Sequence, residues 1–388
     1  MKRVYLDNAA TTPVAKEVVK AMMPFFDADF GNPSSLHRYG IEAKYALDNF
    51  REIIAKSINA DPEEIVFTSG GSESDNLAIR GVAEAYRNKG NHIITTSIEH
   101  PAVLDTCKAL EEEGFVVTYL NVDDEGFIDL DELEKSITNK TILVSVMHGN
   151  NEIGTIQDIK SISAICEERD VIFHTDAVQS FTKFPIDAKK LNAGLISFSA
   201  HKIHGPKGIG GLYINKNIRI RKMVYGGHQE QDYRAGTENL PAIAGFAKAV
   251  ELCNDVHNDR MRELRDSIIK GISVVSECRL NGPIGKKRLC NNANFSFSYV
   301  DGEALMMDID NKGIEVSTGS ACSSQSRDPS HVLMAIGLNN DIARGSIRIT
   351  LSRYNTNGDI KFLLDTLPEA VKKLREINPL WVMENEKR

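Results

Sequence analysis

The sequence has no long apolar run, no excess of basic residues, no internal repeat and no low-complexity tract. No apolar stretch approaches the about 18 residues that a membrane-spanning helix needs, so we expect no membrane association. The 388 residues contain 46 Lys and Arg against 54 Asp and Glu, a net charge of −8, which argues against direct binding of nucleic acid. Lys2 and Arg3 are basic, but Asp7 interrupts the apolar stretch of a secretory signal, so we expect a cytoplasmic protein.

Closely spaced cysteine pairs are also missing, although the chain has six cysteines. None belongs to a CxxC motif, so local spacing predicts no zinc site, and the thiols are expected to be reduced. Cys107, Cys166 and Cys253 lie in apolar, helix-like patterns and are expected in the core. Cys322 differs, because it lies in VSTGSACSSQS (316–326), where small polar neighbours offer no apolar pocket.

Short runs rich in β-branched and aromatic residues alternate with helix-like patterns between residues 63 and 257. The runs are 65–68, 92–96, 116–120, 141–146, 171–174, 195–198 and 211–214. This alternation predicts an α/β domain built on a mostly parallel sheet. After residue 258, charged helical patterns, a β-rich run at 293–299 and a final helix near 360–377 predict a smaller α+β domain.

Chemically versatile side chains follow the predicted strands, where parallel sheets place their sites. The first run is followed by TSGGSES (68–74), whose glycines and hydroxyls could bind an anion at a helix N-terminus. The alternative is simple capping of that helix by Ser72 or Ser74. Later runs are followed by further candidates: His100, Asn150, Asn151, Asp176, Gln179, Ser199, His201 and Lys202. Each of these alone is more often structural than functional.

Together these residue types match the requirements of pyridoxal phosphate (PLP). A lysine forms a Schiff base with its aldehyde, and a carboxylate keeps its pyridine nitrogen protonated. The phosphate needs N–H and hydroxyl donors, and the flat ring needs a stacking partner. The glycine-rich turn after Lys202 would permit close approach of the backbone.

The chain closely resembles the cysteine desulfurases of the NifS/IscS family, which are PLP enzymes of the aspartate-aminotransferase (type I) fold. The resemblance runs nearly end to end, through YLDNAATT (5–12), GNPSS (31–35), 150–154, 176–179, 199–208, RAGTEN (234–239) and 319–323. It implies a large domain at 15–258 with a mostly parallel seven-stranded sheet. It also implies a small α+β domain formed by 1–14 and 259–388, which carries the Cys322 loop.

By this resemblance, Lys202 would hold PLP covalently and Asp176 would pair with the pyridine nitrogen. Gln179 and Asn151 would hydrogen-bond the phenolic oxygen of the ring. His100 would stack on the ring and serve in proton transfer.

The same resemblance implies residues for the phosphate and the substrate. The phosphate would be bound by Gly71, Ser72, Ser199 and His201. Thr237 would reach the phosphate of a second subunit, which implies a homodimer. Arg348 would bind the carboxylate of L-cysteine, and Asn32 would lie near the substrate.

Cys322 would be the nucleophile that accepts sulfur as a persulfide, with L-alanine as the other product. Glycine and serine around it supply the freedom that a travelling thiol needs. The sulfur would pass to an iron–sulfur scaffold or another acceptor protein, for cluster assembly or tRNA thiolation. Cys322 could also ligate an iron–sulfur cluster shared with a scaffold partner.

Two positions depart from the family pattern, and two other functions stay open. Ser72 replaces a common Thr but keeps the hydroxyl, and Cys290 replaces a common Pro, which favours a structural role. The chain could be a selenocysteine lyase or another type I PLP enzyme such as an aminotransferase, which its products would reveal. It could instead be a non-catalytic iron–sulfur scaffold component, which would lack the visible absorbance of bound PLP.

Overall fold

The computed structural model describes residues 3–318 and 329–385, so Cys322 lies outside the described residues. The strands are β1 (Val4–Tyr5), β2 (Ile65–Thr68), β3 (His92–Thr96), β4 (Val116–Leu120), β5 (Thr141–Ser145), β6 (Ile172–Asp176), β7 (Leu195–Ser199), β8 (Gly210–Ile214), β9 (Cys278–Leu280), β10 (Asn292–Phe297), β11 (Ile314–Glu315) and β12 (Ser346–Thr350).

Helices connect most of these strands. They are α1 (Lys16–Met22), α2 (Pro24–Asp27), α3 (Arg38–Ser57), α4 (Gly71–Tyr86), α5 (Pro101–Glu112), α6 (Leu130–Ser136), α7 (Ile159–Glu168), α8 (Ala188–Leu191), α9 (Leu240–Glu251), α10 (Asp255–Ile272), α11 (Gly302–Asp310), α12 (His331–Ala335), α13 (Asn340–Arg344), α14 (Asn357–Glu376) and α15 (Pro379–Asn385). Short 3-10 turns lie at Pro62–Glu64, Ala200–Lys202, Glu230–Asp232 and Gly285–Lys287. None of the described helices is long and apolar enough to cross a membrane.

The largest sheet has seven strands in the order β2-β8-β7-β6-β5-β3-β4. The pairings of β8 with β2 and β7 are antiparallel and the other pairings are parallel, so the expected α/β fold with a mostly parallel seven-stranded sheet is confirmed. Every residue of β5 and β7 is buried, and both strands are continuously apolar or small. That pattern is typical of parallel strands covered by helices on both faces.

Two apolar clusters cover the faces of this sheet. One includes Leu47 of α3, Ile162 of α7 and Phe246 of α9, and the other includes Leu77 of α4 and Val103 of α5. Cys107 and Cys166 are buried as predicted. Cys253 follows the end of α9 and is only partly buried, but it packs against the first of these clusters.

A second structural unit is built on the antiparallel sheet β12-β10-β9. Helices α10 and α14 pack over it, and its core contains Leu264, Phe295 and Leu363. Val4 and Leu6 from the N-terminus are buried in the same cluster. The domain boundaries stay a prediction, because residues 6–12 hydrogen-bond to both units.

The N-terminal segment, residues 6–12, hydrogen-bonds to both units. Thr350 N donates to Leu6 O at 2.7 Å, which joins the segment to β12. Thr12 Oγ1 donates to His201 O at 2.8 Å, which joins it to the turn after β7. The segment therefore fixes the end of β12 against the carboxyl end of the large sheet.

A buried ion pair anchors the segment that precedes Thr237. Glu230 accepts hydrogen bonds from Arg51 Nη1 at 2.7 Å and Nη2 at 2.8 Å, and from Phe67 N at 2.7 Å. Gln231 and Asp232 follow with positive φ angles of 56° and 70°, a strained conformation for residues other than glycine. The ion pair supplies the contacts that hold this turn against α3 and β2.

Replacing Glu230 with Gln should destabilise the fold, because Arg51 would keep its buried charge without a carboxylate. We expect a loss of about 3 kcal/mol, seen as a lower urea midpoint. The matched control is Glu42→Gln, whose carboxylate pairs with Arg38 on the surface at 2.8 Å. That change should shift the free energy of unfolding by less than about 1 kcal/mol. Equal effects of the two substitutions would contradict the prediction.

Candidate active site

A pocket of about 260 Å³ lies at the carboxyl ends of the parallel strands and will be called the strand-end pocket. It brings together nine of the predicted site residues: Gly71, Ser72, His100, Asn151, Asp176, Gln179, His201, Lys202 and Arg348. The rule that parallel strands end at one edge of a sheet therefore located most of the site. Ala9, Ala10, Asp75, Met147 and Val178 complete its lining.

Lys202 is held in the pocket by the N-terminal segment. Its Nζ donates to Ala9 O at 2.5 Å and to Ala10 O at 2.8 Å. Gln179 Nε2 donates to the same Ala9 carbonyl at 3.0 Å. Because one backbone carbonyl receives both groups, the amine and the amide are placed side by side.

Asp176 ends β6 and is buried in the pocket. One of its oxygens accepts a hydrogen bond from Val178 N at 2.8 Å. Burial raises the pKa of Asp176 to about 6, while this hydrogen bond and the charge of Lys202 act in the opposite direction. A buried carboxyl of this kind is stabilised in its ionised form by a cationic partner, such as a protonated pyridine nitrogen.

Asp75 is a second buried carboxyl in the pocket that the sequence analysis missed. Burial raises its pKa well above the ordinary range, and the nearby charge of Asp176 raises it further. Two neighbouring buried carboxylates resist ionising together, so Asp75 is the one that keeps its proton. The available signal was its position on α4, four residues after Gly71, which puts both on one helix face.

His174 forms the polar layer behind these carboxyls. Its Nδ1 lies 2.8 Å from Ser145 Oγ, and its Nε2 lies 3.0 Å from Ser197 Oγ. Asp75 Oδ1 is 3.7 Å from the same Nε2. Burial lowers the pKa of His174 to about 3, so the imidazole is neutral and the contact is not an ion pair.

His100 caps the N-terminus of α5 with its ring. Its Nδ1 accepts a hydrogen bond from Ala102 N at 3.1 Å. Burial, followed by the charges of Lys202 and His331, lowers the pKa of His100 to about 4. The neutral ring therefore carries its proton on Nε2, and that nitrogen is a hydrogen-bond donor.

The N-terminus of α4 has no side-chain cap. The capping alternative for Ser72 and Ser74 is therefore wrong: Gly70 is the N-cap, and Ser74 Oγ lies 2.8 Å from Thr68 Oγ1 instead. A Cβ at Gly71 would come within 2.6 Å of a methyl group of Val178, so only glycine permits this packing. Uncapped backbone N–H groups at the start of a 16-residue helix suit a phosphate.

Ser199 and His201 are the other two residues predicted to bind the phosphate. Ser199 Oγ is buried and has no hydrogen-bond partner within residues 3–318 and 329–385. His201 Nδ1 lies 3.1 Å from Thr11 Oγ1. A buried hydroxyl without a partner is unfavourable, and a phosphate oxygen would satisfy it. The uncapped helix, Ser199, Asp176 and Lys202 together fit PLP.

Arg348 is buried on β12 and faces the pocket. Its Nη2 donates to Asp7 Oδ1 at 2.8 Å, and its Nη1 donates to Asn151 O at 3.3 Å. Its Nε has no partner in the part of the chain that the structure describes. The guanidinium therefore keeps one donor for a bound carboxylate, and Asp7 is a partner that the sequence analysis missed.

Glu99 is a further buried carboxyl without an expected role. Its Oε1 accepts from Thr96 Oγ1 at 2.7 Å and from Met147 N at 2.9 Å. Burial raises the pKa of Glu99 to about 8; the hydrogen bonds lower it, and the charge of Asp176 raises it. Glu99 is therefore protonated at neutral pH.

Three of the other predicted residues lie outside the pocket lining. Ser199 is buried beneath it, whereas Asn32 and Thr237 are exposed. Their chain neighbours, including Ser34 and Glu238, line a different depression of about 990 Å³, which will be called the surface groove. Cys322 is not among the described residues, and within those residues no cluster of His, Cys, Asp or Glu could hold a metal ion.

Residues 4–363 match the family model described as Aminotransferase class-V. The chain is 52% identical over 384 residues to "Cysteine desulfurase IscS" of Dictyoglomus turgidum, covering 98% of this chain and 97% of that protein. It is 51% identical to the protein of the same name from Methanosarcina thermophila, over 98% of this chain and 94% of the other. The chain belongs to the cysteine desulfurases of the class-V aminotransferase family.

Solved structures agree with this assignment. A "NIFS-LIKE PROTEIN" superposes with a TM-score of 0.90 at 39% identity, covering 96% of this chain and all of that one. A structure titled "SspA in complex with cysteine" has a TM-score of 0.81 at 39% identity, over 92% of this chain and all of the other. The predicted family, fold class, enzyme class and PLP cofactor are thereby confirmed.

Replacing Glu99 with Gln should remove a pH dependence of stability. The raised pKa means that the folded state keeps a proton which the unfolded state loses above its ordinary pKa of about 4.3. The stabilisation is complete below that value and is lost as pH rises to about 8. Relative to Glu99→Gln, the wild type should lose about 1 kcal/mol per pH unit between pH 5 and 8.

The measurement is the urea midpoint of both proteins at each pH, in the same cofactor state. Glu112→Gln, an exposed change at the end of α5, is the control and should follow the wild type. Parallel pH profiles of the wild type and Glu99→Gln would refute a raised pKa at Glu99.

Proposed function

We propose that the chain takes sulfur from L-cysteine, releases L-alanine and leaves the sulfur on Cys322 as a persulfide. The observation that carries this proposal is the convergence of Lys202, Asp176 and Arg348 in one buried pocket. The relatives from Dictyoglomus turgidum and Methanosarcina thermophila carry the name cysteine desulfurase, and the structure titled "SspA in complex with cysteine" supports L-cysteine as the substrate.

PLP, when bound, supplies an electron-accepting ring and an aldehyde that bonds to amines. Lys202 is the amine within reach, and the carbonyls of Ala9 and Ala10 keep its Nζ in place beforehand. Asp176 supplies the negative charge for the pyridine nitrogen, while Asp75 stays neutral and adds no second charge. The start of α4, with Ser72, Ser199 and His201, receives the phosphate, and Gln179 and Asn151 bind the phenolic oxygen.

His100 acts as a proton donor rather than as a base. Its Nδ1 lone pair is occupied by the Ala102 N–H, and its neutral ring presents the Nε2 proton. A general base needs a free lone pair within hydrogen-bond reach of the proton it takes. Lys202 is the amine that lines the pocket, so proton removal from the substrate falls to Lys202.

Arg348 binds the carboxylate of L-cysteine. Its Nε has no partner within the described chain, and its Nη2 exchanges Asp7 for the substrate. A guanidinium binds a carboxylate through two parallel hydrogen bonds, which also fixes the orientation of the substrate. Asp7 keeps the charge of Arg348 compensated when no substrate is present.

Cys322 performs the sulfur transfer as a thiolate. An S–S bond forms between Cys322 and the substrate sulfur, while the C–S bond of L-cysteine breaks. The substrate carbon keeps the electron pair of the broken bond and takes a proton, which completes alanine. The described residues on either side of the Cys322 segment contact the pocket: Ser317 N bonds to Arg348 O at 3.2 Å, and His331 Nε2 lies 2.9 Å from Glu99 O.

The persulfide then serves a second protein. An iron–sulfur scaffold is the favoured acceptor, because the relatives carry the name IscS, and a tRNA-thiolation protein is the other acceptor class. Shared ligation of an iron–sulfur cluster by Cys322 remains part of this proposal. The protein acts in the cytoplasm, where thiols are reduced.

A homodimer explains residues that lie far from the pocket. Phe30, Leu36 and Tyr45 are 61%, 93% and 72% exposed, and Tyr225 is 71% exposed. Apolar exposure on this scale is typical of a protein–protein interface. Tyr45 lines the surface groove, and Phe30, Leu36 and Tyr225 lie within three residues of lining residues along the chain. A second copy placed there would receive Thr237 in its own phosphate site.

Leu36→Asp should weaken this dimer, because a carboxylate would be buried at the interface. We expect the dimer dissociation constant to rise by about 30-fold or more, measured by sedimentation. Val274→Asp is the matched control, because Val274 is 81% exposed at the end of α10 and far from this surface in sequence. A stable dimer of Leu36→Asp, or an active wild-type monomer, would exclude this interface.

The test of the proposed function is Cys322→Ser. Serine is not ionised near neutral pH, so alanine release from L-cysteine should fall by about 10³-fold or more while the PLP absorbance is retained. In the wild type, mass spectrometry after L-cysteine treatment should show one added sulfur, about 32 Da, on the Cys322 peptide.

Cys290→Ser is the matched control, because burial raises the pKa of this thiol and its side chain is part of the second core. It should keep activity, with at most a loss of stability. Full activity of Cys322→Ser, or sulfur found on Cys290 instead, would overturn the proposal. An enzyme that releases selenide from selenocysteine but no sulfide from L-cysteine would be a selenocysteine lyase.

A further inference from the structure

A second cavity, of about 40 Å³, shares Lys202 with the strand-end pocket and will be called the basic cavity. Its wall includes Lys183, His204, His257 and Arg353, together with uncharged residues. It lies where the end of β12 meets the start of α10 and the turn after Phe181. Nothing in the proposed reaction uses it.

Lys183 and Arg353 face no acidic side chain in the described wall of this cavity. No Asp or Glu is among the described residues that line it. Burial lowers the pKa of Lys183, and the titratable neighbours that act on it are the thiols of Cys290 and Cys253. Its ammonium donates to the carbonyl of Gln179 at 3.0 Å. Apolar burial of a cation without an anion is unfavourable, which points to a missing counter-charge.

The histidines of the wall bring no negative charge to this cavity. Burial lowers the pKa of His204 to about 4; its bond to the Pro13 carbonyl raises it, while Arg353, Lys183 and His257 each lower it. His257 Nδ1 is enclosed and has no hydrogen-bond partner in the described part of the chain. The cavity thus combines the basic side chains of Lys183 and Arg353 with an enclosed ring nitrogen that could donate to a ligand.

The backbone next to Lys183 is strained. Thr182 has a φ of +62°, which is unfavourable for a β-branched residue. Asn258 Nδ2 holds the Thr182 carbonyl at 2.9 Å. The turn lets the Lys183 side chain fold back to Gln179, four residues earlier. Strain of this kind persists where surrounding contacts enforce it and is found most often at functional sites.

We propose that the basic cavity binds one small monovalent inorganic anion, either a halide or hydrosulfide. A water molecule needs about 10–15 Å³ of such space, so 40 Å³ holds an ion of this size with one or two waters. Hydrosulfide is released when a thiol reduces the persulfide. The choice of hydrosulfide therefore rests on the proposed function, whereas binding of a halide does not. Because Lys202 shares the cavity wall, the anion would stabilise positive charge next to the pocket.

The experiment compares the PLP-bound enzyme in sodium bromide and in sodium gluconate at the same ionic strength. Gluconate is too large for the cavity and controls for general salt effects. Bromide should raise the thermal midpoint by about 1–3 °C over gluconate. Lys183→Met should lose this difference, whereas Lys20→Met, an exposed lysine of α1, should keep it.

Two measurements cover the case in which Lys183→Met fails to fold. His257→Gln should weaken the bromide effect, and crystals soaked in bromide should show an anomalous peak next to Lys183 Nζ. The second ligand is tested by adding sodium hydrosulfide anaerobically and measuring the line broadening of bromide in NMR. A reduced broadening would assign hydrosulfide to the cavity, because hydrosulfide would then displace bromide. An unchanged broadening would assign a halide. No anomalous peak and equal midpoints in bromide and gluconate would overturn the proposal, whatever the result for Cys322→Ser.

Discussion

The hydrogen bonds of residues 6–12 hold the active site together. Ala9 O accepts both Lys202 Nζ and Gln179 Nε2, while Thr350 N bonds to Leu6 O. Through this segment, β12 is linked to the turn that carries Lys202. The position of Arg348 relative to Lys202 therefore depends on residues more than 190 positions away from either. Backbone bonds suit this task, because they fix distances without adding charge to the pocket.

Burial limits how many carboxyl groups in and next to the pocket are ionised. Asp75, Glu99 and Asp176 are all buried, and three carboxylates beside one lysine would be electrostatically unfavourable. Raised pKa values keep Asp75 and Glu99 protonated, which leaves Asp176 as the carboxyl available to a cationic partner. Neutral His174 behind Asp75 keeps the layer polar without adding a positive charge that would ionise it. The protein thus selects a single negative group through solvation rather than through the number of acidic residues.

The sequence predicted those parts of the site that depend on strand order. His100, Asp176 and Lys202 follow strands of one parallel sheet, so the fold class alone places them at one edge. Asp7 could not be found in this way, because its partner Arg348 is 341 residues distant and belongs to another sheet. Asp75 lies inside a helix, where burial and not local pattern gives it a raised pKa. The expected serine caps failed for a similar reason, since Ser74 finds a tertiary acceptor, Gly211 O, at 3.0 Å.

In the proposed homodimer, Asn32 and Thr237 belong to a site that two chains share. Both are exposed, and both border the surface groove rather than the strand-end pocket. The buried Arg51–Glu230 pair nevertheless fixes the turn that leads to Thr237, at a cost in backbone strain. No residue of this turn is among the described residues that line the strand-end pocket. Its rigidity makes sense if the turn must present Thr237 to a second copy in one orientation, because a preorganised surface loses less entropy when the two copies associate.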